Sequence, residues 1–334
     1  MMLHTMLDAW SSFALSPLVP SRPRDGGAFT AERYHGHART LRYKLFVPSG
    51  HGGGPLPLVV MLHGGGQDAD DFALGTGMNE LAQEAGCLVA YPEQSADANW
   101  SRCWNWFDDA HHRRGQGEPA LIAGVVRKVM AEHAIDRTRV YVAGLSAGGA
   151  MAVILGRTYP DLFAAVGCHS GLAHGSATDQ YGAMLAMRDG ATAPAPLHRD
   201  TPAGMPTIVF HGDQDGTVHP NNSAGVIQQT IDAYMAQTAR GRLALSLSQE
   251  RGEAAGRGYT RHVHQGPAGH ILAEHWAVDG VGHAWCGGNR RGSYTDAGGP
   301  DASREMLRFF LRHQCAGSHG DFDPAESFVV AQPG

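Results

Sequence analysis

One serine stands between two glycines at the end of an apolar run. Residues 140–151 read VYVAGLSAGGAM, so Ser146 lies in a G-x-S-x-G pattern between Gly144 and Gly148. A nucleophilic serine on a sharp strand-to-helix turn requires this pattern, because the residues two before and two after it approach each other and must be small. The alternative is a glycine-rich loop with an ordinary serine, and the rest of the chain has to decide between the two.

A serine hydroxyl is a weak nucleophile at neutral pH, so it needs a general base, and the base needs a carboxylate to orient it. Asp215 follows the apolar run 207–212, in HGDQDGTVHP, and His283 follows the run 275–280, in DGVGHAWCGG. Both positions come after Ser146 and at the ends of predicted strands, where sheets with parallel strands carry their sites. Asp213 is the rival acid; we favour Asp215 because it lies further into its loop, and we expect Asp213 to support the loop.

A negative oxygen that forms during acyl transfer needs hydrogen-bond donors, each contributing about 3 kcal/mol to the transition state. The backbone N–H of Ala147, directly after the serine, is the first predicted donor. The second should come from the loop MLHGGGQ, residues 61–67, whose glycines let bare N–H groups reach a substrate. Gly65 is our preferred second donor, with Gly64 and Gly66 as alternatives.

Elements that could position these groups follow from the hydrophobic pattern. Continuous apolar runs indicate strands buried on both faces, and they alternate with amphipathic helical patterns, which predicts a mostly parallel sheet with helices on both faces. The predicted strands are 40–49, 58–62, 87–92, 139–144, 163–170, 207–212 and 275–280; the predicted helices are 70–86, 118–134, 147–159, 221–239 and 301–313. Two polar, glycine-rich stretches, 172–204 and 240–270, are expected to be insertions or irregular surface segments.

The composition limits the classes of protein to which this chain can belong. The chain has 334 residues, of which 43% are hydrophobic and 17% charged, with a net charge of −6. This balance supports a large core and argues against a general nucleic-acid or anionic-membrane binder. No apolar run approaches the ~18 residues of a membrane span. We expect an N-terminal extension over 1–38, one catalytic domain over 39–315 and a tail over 316–334, and the N-terminus does not resemble a signal peptide.

Aromatic, histidine and cysteine residues allow further interpretations. Trp104 and Trp285 lie beside predicted site loops and could line an apolar substrate pocket, with Tyr294 as a weaker candidate; core packing is the alternative for both tryptophans. The paired histidines lack the spacing of metal ligands, so we expect no metal and no cofactor. Among the five cysteines, Cys103 and Cys286 are the pair we would test for a disulfide.

Several longer motifs are more specific than G-x-S-x-G. The segments NWSRCWNWF, RVYVAGLSAGGAM, VFHGDQDGTVHPNN and GHAWCGGNRRGSYTD resemble the polyhydroxybutyrate (PHB) depolymerase family of α/β-hydrolase esterases, and the resemblance runs from about Leu58 to Leu311. It implies an α/β-hydrolase fold and a serine carboxylesterase that acts on short-chain hydroxyalkanoate polyesters or related esters, with Ser146, Asp215 and His283 as its triad. It also allows secretion. The chain departs from the family's usual first loop, LHGCTQ, and has Cys286 where a serine is usual.

Three other functions stay open at this point. The same triad could cleave amide bonds, for instance in a β-peptide or polyaspartate, where the arginines of GNRRGS (288–293) would meet a polyanion. A feruloyl or acetyl-sugar esterase is a second possibility, and a non-catalytic binding protein on a hydrolase scaffold is a third. The expected partner is a small or polymeric ester, not a nucleic acid or a membrane. The sequence leaves oligomeric state and cellular location open.

Overall fold

A ten-stranded sheet runs through the computed structural model, which describes residues 26–37, 39–190, 204–238 and 244–315. Its strands are β1 (Ala28–His35), β2 (Thr40–Val47), β3 (Leu56–Leu62), β4 (Leu88–Glu93), β5 (Ile135–Leu145), β6 (Ala165–His169), β7 (Thr207–Gly212), β8 (Ser246–Ala254), β9 (Arg257–Gln265) and β10 (Ile271–Val278). Two short strands, β11 (Trp285–Cys286) and β12 (Thr295–Asp296), pair separately.

The strands lie in the order β1-β2-β4-β3-β5-β6-β7-β10-β9-β8. The six from β4 to β10 are parallel, and the pairs at both edges are antiparallel. The predicted mostly parallel sheet is confirmed. The apolar runs of β3, β5 and β7 occupy its centre, where helices cover both faces and long buried runs are stable.

Helices pack on the two faces around two hydrophobic cores. They are α1 (Ala69–Thr76), α2 (Met78–Ala85), α3 (Gly117–Glu132), α4 (Ala147–Thr158), α5 (Gln180–Asp189), α6 (Asn221–Thr238) and α7 (Ala302–Phe310). α1 begins at Asp68, whose side chain accepts a hydrogen bond from the Asp71 N–H, and it ends at Gly77, which has a left-handed φ of 61°. This glycine divides the predicted helix 70–86 into α1 and α2.

Both edges of the sheet differ from the prediction. β1 lies inside the stretch assigned to an N-terminal extension and pairs with β2 along its whole length. The predicted irregular segment 240–270 contains the β8–β9 hairpin, which turns at Ala255 and Gly256 with φ values of 44° and 76°. α5 lies in the other predicted insertion. We propose that the catalytic domain begins at β1; residues 1–25, 191–203 and the predicted tail 316–334 lie outside the described residues.

No helix in the described ranges has the length and apolar character needed to cross a membrane.

Candidate active site

The residues with predicted chemistry follow four strands of the parallel part of the sheet. Gly65 follows β3, Ser146 follows β5, Asp215 follows β7 and His283 follows β10. In the sheet these strands are separated only by β6, which lies between β5 and β7. Because all of them are parallel, their carboxyl ends meet at one edge, and the four residues lie on loops at that edge.

Ser146 occupies a strained turn between β5 and α4. Its φ of 56° and ψ of −119° fall where a residue with a side chain is rarely found, at a cost of about 1–3 kcal/mol. Two hydrogen bonds hold this conformation: the Ser146 N–H donates to the His169 carbonyl at 2.8 Å, and the Ser146 carbonyl accepts from the Ala150 N–H at 2.9 Å. The surrounding structure thus fixes a conformation that the serine alone would not adopt.

The glycines on either side of Ser146 are required by close backbone contacts. A Cβ atom at Gly148 would collide with the carbonyl oxygens of Leu62 and His63, and one at Gly144 would collide with the backbone of Gly148. The start of α4 is therefore pressed against the end of β3. This contact brings the residues after Ser146 next to the loop that carries Gly65.

Asp215 and His283 form a hydrogen-bonded pair. The His283 Nδ1 atom lies 2.8 Å from Asp215 Oδ2, and because an ionised carboxylate can only accept, Nδ1 carries the proton. The other carboxylate oxygen, Oδ1, accepts from the N–H groups of Thr217 at 2.9 Å and Val218 at 2.8 Å. His283 Nε2 is then the unprotonated nitrogen, as a general base requires.

His211 is a second histidine on Asp215, and the sequence analysis missed it. His211 Nε2 lies 3.2 Å from Asp215 Oδ2 and 2.8 Å from the Val218 carbonyl, so its proton is shared between two acceptors. Burial alone would raise the pKa of Asp215, but the hydrogen bonds from His211, His283 and Val218 outweigh it and hold that pKa far below its usual range. Asp215 therefore remains ionised although its side chain is fully buried.

The loops of the acid and the base are joined along their backbones. The Gln214 N–H donates to the Val281 carbonyl at 3.0 Å, and the Gly280 N–H donates to Asp213 Oδ1 at 2.6 Å. Asp213, the rival acid in the sequence analysis, thus ties the two loops together and makes no hydrogen bond to His283 in the described residues. These bonds fix the position of the His283 loop relative to the Asp215 loop.

The nucleophile and the base are linked through His169 on β6, not by a direct hydrogen bond. The His169 carbonyl accepts from Ser146, and its Nε2 accepts the N–H of Cys286, three residues after His283, at 3.0 Å. Within the described ranges, Ser146 Oγ makes no hydrogen bond to His283. Burial lowers the pKa of His169 well below its usual value, with nearby His211 and His283 adding to the effect, so its ring is a neutral spacer.

Two backbone N–H groups beside Ser146 and in the glycine loop have no hydrogen-bond partner among the described residues. The N–H of Ala147 is the first of α4 and has no acceptor within the helix or elsewhere in the described residues. In the glycine loop, the Gly64 N–H donates to Gln67 Oε1 at 2.9 Å and the Gly66 N–H donates to the Ser101 carbonyl at 2.8 Å. Of the three candidate glycines, Gly65 alone keeps an unpartnered N–H in the described structure, although the residue is buried.

The predicted pocket-lining role of Trp104 and Trp285 is wrong, because neither side chain is open to a ligand. Trp104 is 0% exposed and packs 5.5 Å from the His63 ring, and Trp285 is 1% exposed and stacks 5.0 Å from His169. The Trp285 indole N–H donates to Ser303 Oγ at 3.0 Å. Both residues support the site from below as parts of the core.

Tyr294 remains a candidate for substrate contact, and Trp100 joins it. Tyr294 is 40% exposed with a φ of 50°, and the preceding residue, Ser293, is bound by the Gln67 side chain. Trp100 is 70% exposed, and the next residue, Ser101, accepts the Gly66 N–H. Trp100 was not predicted from the sequence, because nothing in NWSRCWNWF distinguishes an exposed tryptophan from a buried one.

The suggested disulfide between Cys103 and Cys286 is also wrong, since both cysteines are free thiols. Burial raises the pKa of each, that of Cys103 to about 12, which keeps them protonated and inert. No group of three or more His, Cys, Asp or Glu side chains is arranged to hold a metal ion in the part of the chain that the structure describes.

Comparison with known sequences identifies relatives with related chemistry. The model of the esterase PHB depolymerase family matches residues 41–245, which is more than half of the chain. Poly(3-hydroxyalkanoate) depolymerase C of Paucimonas lemoignei is 32% identical over 246 residues, covering 71% of this chain and 56% of that protein. Feruloyl esterase B of Neurospora crassa is 35% identical over 135 residues, covering 40% of this chain and 45% of that protein. The chain thus spans about half the length of these relatives.

Solved structures agree with the fold. An acetyl xylan esterase from Aspergillus awamori superposes with a TM-score of 0.63 at 19% identity, covering 85% of this chain and 99% of that one. At this identity the likeness bears on architecture alone, and the shared architecture is that of the α/β-hydrolases. With this fold, and with a family match over more than half of its length, the chain belongs to the esterase PHB depolymerase family.

Proposed function

We propose that the protein is a serine carboxylic ester hydrolase that works through an acyl-enzyme. The observation that carries this proposal is the 2.8 Å hydrogen bond between His283 Nδ1 and Asp215 Oδ2. It fixes the imidazole tautomer in which Nε2 can accept a proton, and Asp215 stabilises the imidazolium that results. Membership of an esterase family supports the same chemistry.

The reaction has two halves. In the first, His283 removes the Ser146 hydroxyl proton as Oγ attacks the ester carbonyl, and the oxyanion is stabilised by the Gly65 and Ala147 N–H groups. The C–O bond to the alcohol then breaks, and His283 gives its proton to the leaving oxygen. In the second half, water loses a proton to His283 and attacks the acyl carbon. The bond between that carbon and Ser146 Oγ then breaks, which releases the acid, and His283 returns the proton to Oγ. The proposal requires that movement of the Ser146 and His283 side chains makes the hydrogen bond that the resting structure lacks.

The proposed substrates are short-chain hydroxyalkanoate oligomers and polyesters. The support comes from the family and from the depolymerase of P. lemoignei, over the part of the chain that they share. Trp100 and Tyr294 fit such a substrate, because exposed aromatic surface beside the oxyanion donors can contact the methylene and methyl groups of a hydroxyalkanoate.

Replacement of the nucleophile tests the reaction class. Ser146→Ala should reduce hydrolysis of p-nitrophenyl butyrate and of 3-hydroxybutyrate trimers to background while circular dichroism and Tm stay near wild type. The same variant should no longer be labelled by a fluorophosphonate. Hydrolysis that persists in a folded Ser146→Ala protein would contradict the assignment of the nucleophile.

A second candidate is an esterase for feruloyl or acetyl groups on sugars. It is favoured by the match to feruloyl esterase B, whose aligned segment is 35% identical. Rates on 3-hydroxybutyrate trimers, methyl ferulate and acetylated xylan, measured on one preparation, separate the two candidates. A higher kcat/KM on methyl ferulate or on acetylated xylan would replace the hydroxyalkanoate proposal.

Cleavage of a polyanionic amide such as polyaspartate is a third candidate, because Arg290 and Arg291 are exposed in the segment that follows His283 in the chain. Because both side chains are exposed, both could meet an anionic chain. Matched ester and amide substrates of the same acyl group test this candidate directly, since an amidase should retain turnover on the amide.

A further inference from the structure

The loop that carries the second oxyanion donor could lose this donor through rotation of a single peptide group. Gly64, Gly65 and Gly66 follow one another, and without Cβ atoms a glycine peptide can rotate between orientations at little steric cost. In a trans peptide the carbonyl and the N–H point in opposite directions, so the Gly65 N–H shares one rigid plane with the Gly64 carbonyl. Rotation of this plane would turn the donor away from the substrate and present a carbonyl oxygen instead.

The Gly64 carbonyl is held by the side chain of the residue before it. His63 Nδ1 lies 2.7 Å from the Gly64 oxygen, and the Gln67 N–H donates to the same oxygen at 3.3 Å. The other ring nitrogen, His63 Nε2, accepts the N–H of Gln94 at 3.0 Å. A backbone N–H can only donate, so Nε2 is unprotonated and the ring proton lies on Nδ1, directed at Gly64.

His63 is buried in a way that preserves this tautomer. The side chain is 1% exposed, and its ring packs 5.5 Å from that of Trp104. Burial lowers the pKa of His63 to about 4, although the hydrogen bond to Gly64 opposes the shift. The ring therefore stays neutral across the pH range in which an ester hydrolase with a histidine base works, and it can accept from Gln94 and donate to Gly64 at the same time.

Gln67 fixes the other side of Gly64. Its Oε1 accepts the Gly64 N–H at 2.9 Å, and its Nε2 donates to Asp71 Oδ2 at 3.0 Å and to the Ser293 carbonyl at 3.1 Å. The amide flanking Gly64 on its N-terminal side is thus anchored to α1 and to the loop before β12. With both neighbouring peptide units held, the N–H that remains available is that of Gly65.

We propose that His63 is a positioning residue that locks the Gly64–Gly65 peptide plane so that the Gly65 N–H faces the oxyanion. The proposal rests on the proposed function, because it assigns His63 a role in the transition state of that reaction. Preorganised donors are effective because they need no reorientation during the reaction. Loss of the lock should therefore lower kcat rather than raise KM.

Two substitutions separate the two hydrogen bonds of the ring. An asparagine amide nitrogen can lie near the position of Nδ1, so His63→Asn keeps a donor for Gly64 and loses the acceptor for Gln94. A glutamine oxygen can lie near the position of Nε2, so His63→Gln keeps the acceptor and loses the donor. We expect His63→Gln to lower kcat by about 10- to 100-fold with little change in KM, below the full effect of removing a donor, and His63→Asn to stay within about 5-fold of wild type.

A second readout distinguishes positioning from a general structural role. The rate at which a fluorophosphonate labels Ser146 depends on the same oxyanion donors but on no particular natural substrate, so it should fall in His63→Gln in parallel with kcat. His313→Gln is the matched control, because His313 is also buried and its pKa is also lowered by burial to about 4. This variant should label at the wild-type rate.

The outcomes are distinct. A slow His63→Gln beside a near-normal His63→Asn, at similar Tm, supports the lock. Wild-type labelling by His63→Gln, or equal losses in both variants that follow their Tm values, would overturn it. If Ser146 is labelled but no ester is hydrolysed, the substrate proposal fails while the lock is still tested; if Ser146→Ala is still active, the proposed function fails first.

Discussion

Around Ser146 the backbone is positioned by steric fit, whereas around Asp215 and His283 it is positioned by hydrogen bonds to a buried charge. At the serine, Gly144 and Gly148 allow α4 to press against the end of β3 where any side chain would collide. At the acid, one carboxylate receives hydrogen bonds from His283, His211 and two backbone N–H groups.

Because of this difference, the two halves of the site should respond differently to substitution and to a change of pH. The serine turn contains no titratable group, so its geometry depends on shape and should be insensitive to pH. The acid–base half depends on one carboxylate remaining ionised and should tolerate small changes of shape better than a loss of charge. Substitutions of similar size in the two halves should therefore separate in activity, in stability and in pH dependence.

Removal of the buried charge should have the largest effect. In Asp215→Asn the carboxylate that accepts from His283 Nδ1 is gone, the imidazole loses its tautomer and its stabilising partner, and kcat/KM should fall by about 10³- to 10⁴-fold. Steady-state hydrolysis of p-nitrophenyl butyrate measures the loss. Asp213→Asn is the matched control, because Asp213 accepts only from Gly280 in the described residues, and it should lose less than about 10-fold. The reverse ranking would make Asp213 the acid.

Addition of one methyl group to the serine turn should come next. Gly148→Ala introduces a Cβ into the space filled by the carbonyl oxygens of Leu62 and His63, and overpacking of this kind costs about 1–3 kcal/mol. We expect a fall in Tm of several degrees and a loss of activity of about 10- to 100-fold, since the displaced α4 carries the Ala147 donor.

A matched glycine elsewhere controls for the substitution itself. Gly225 lies in α6, and apart from its chain neighbours and the backbone of its own helix no atom comes within 4 Å of the position that a Cβ would occupy there. Gly225→Ala should therefore leave activity unchanged and raise Tm slightly, because alanine favours helix. An unchanged Tm in Gly148→Ala would show that the contact between α4 and β3 can relax, and the steric half of the comparison would fail.

The pH dependence of the unfolding free energy should also differ between the two halves of the site, and this effect should be smaller than those of the two substitutions above. The pKa of Asp215 is far below its usual range in the folded protein, whereas in the unfolded chain it titrates near 3.9. The ionised carboxylate therefore contributes stability above about pH 4, and this contribution is lost as pH falls further, because protons then bind the unfolded chain first. When the pH falls from 5 to 3.5, the unfolding free energy of the wild type should decrease by roughly 1 kcal/mol more than that of Asp215→Asn.

Urea unfolding at each pH measures this change, and Gly148→Ala supplies the contrast. Its penalty arises from a collision, so it should be the same at pH 5 and pH 3.5. A pH-dependent penalty for Gly148→Ala, or a constant one for Asp215→Asn, would remove the physical distinction between the two halves.

The sequence predicted the central sheet well for a reason that does not extend to its edges. β3, β5 and β7 are buried on both faces, so their composition alone identifies them. β8 and β9 consist largely of polar, exposed or half-buried residues, and such residues resemble a loop until a partner strand is known. β1, an exposed edge strand, was missed for the same reason.

In the site, too, the residues that follow from chain order could be predicted, whereas those whose roles depend on spatial contacts could not. Asp215 and His283 could be chosen because each follows a strand in the order that this chemistry requires. The roles of His63, His169 and His211 depend on which neighbour each ring nitrogen meets, and a sequence does not contain that information. Each of these three histidines does stand at the end of a strand or directly after it, which is the signal that could have raised them as candidates.

The aromatic residues provide the last and smallest test, at the boundary between the two halves. Because Trp104 and Trp285 are closed to solvent, we propose that exposed side chains such as Tyr294 contact the substrate. The residue before it, Ser293, accepts a hydrogen bond from Gln67 of the glycine loop. Tyr294→Ala should raise KM for 3-hydroxybutyrate trimers by about 3- to 10-fold, the effect of losing part of one aromatic contact, and change KM for p-nitrophenyl acetate by less. Its Tm should stay within about 2 °C of wild type, since an exposed side chain contributes little to stability. Equal effects on both substrates would show that Tyr294 acts through the position of its backbone, whose carbonyl accepts the Trp285 backbone N–H at 2.7 Å, rather than through its ring.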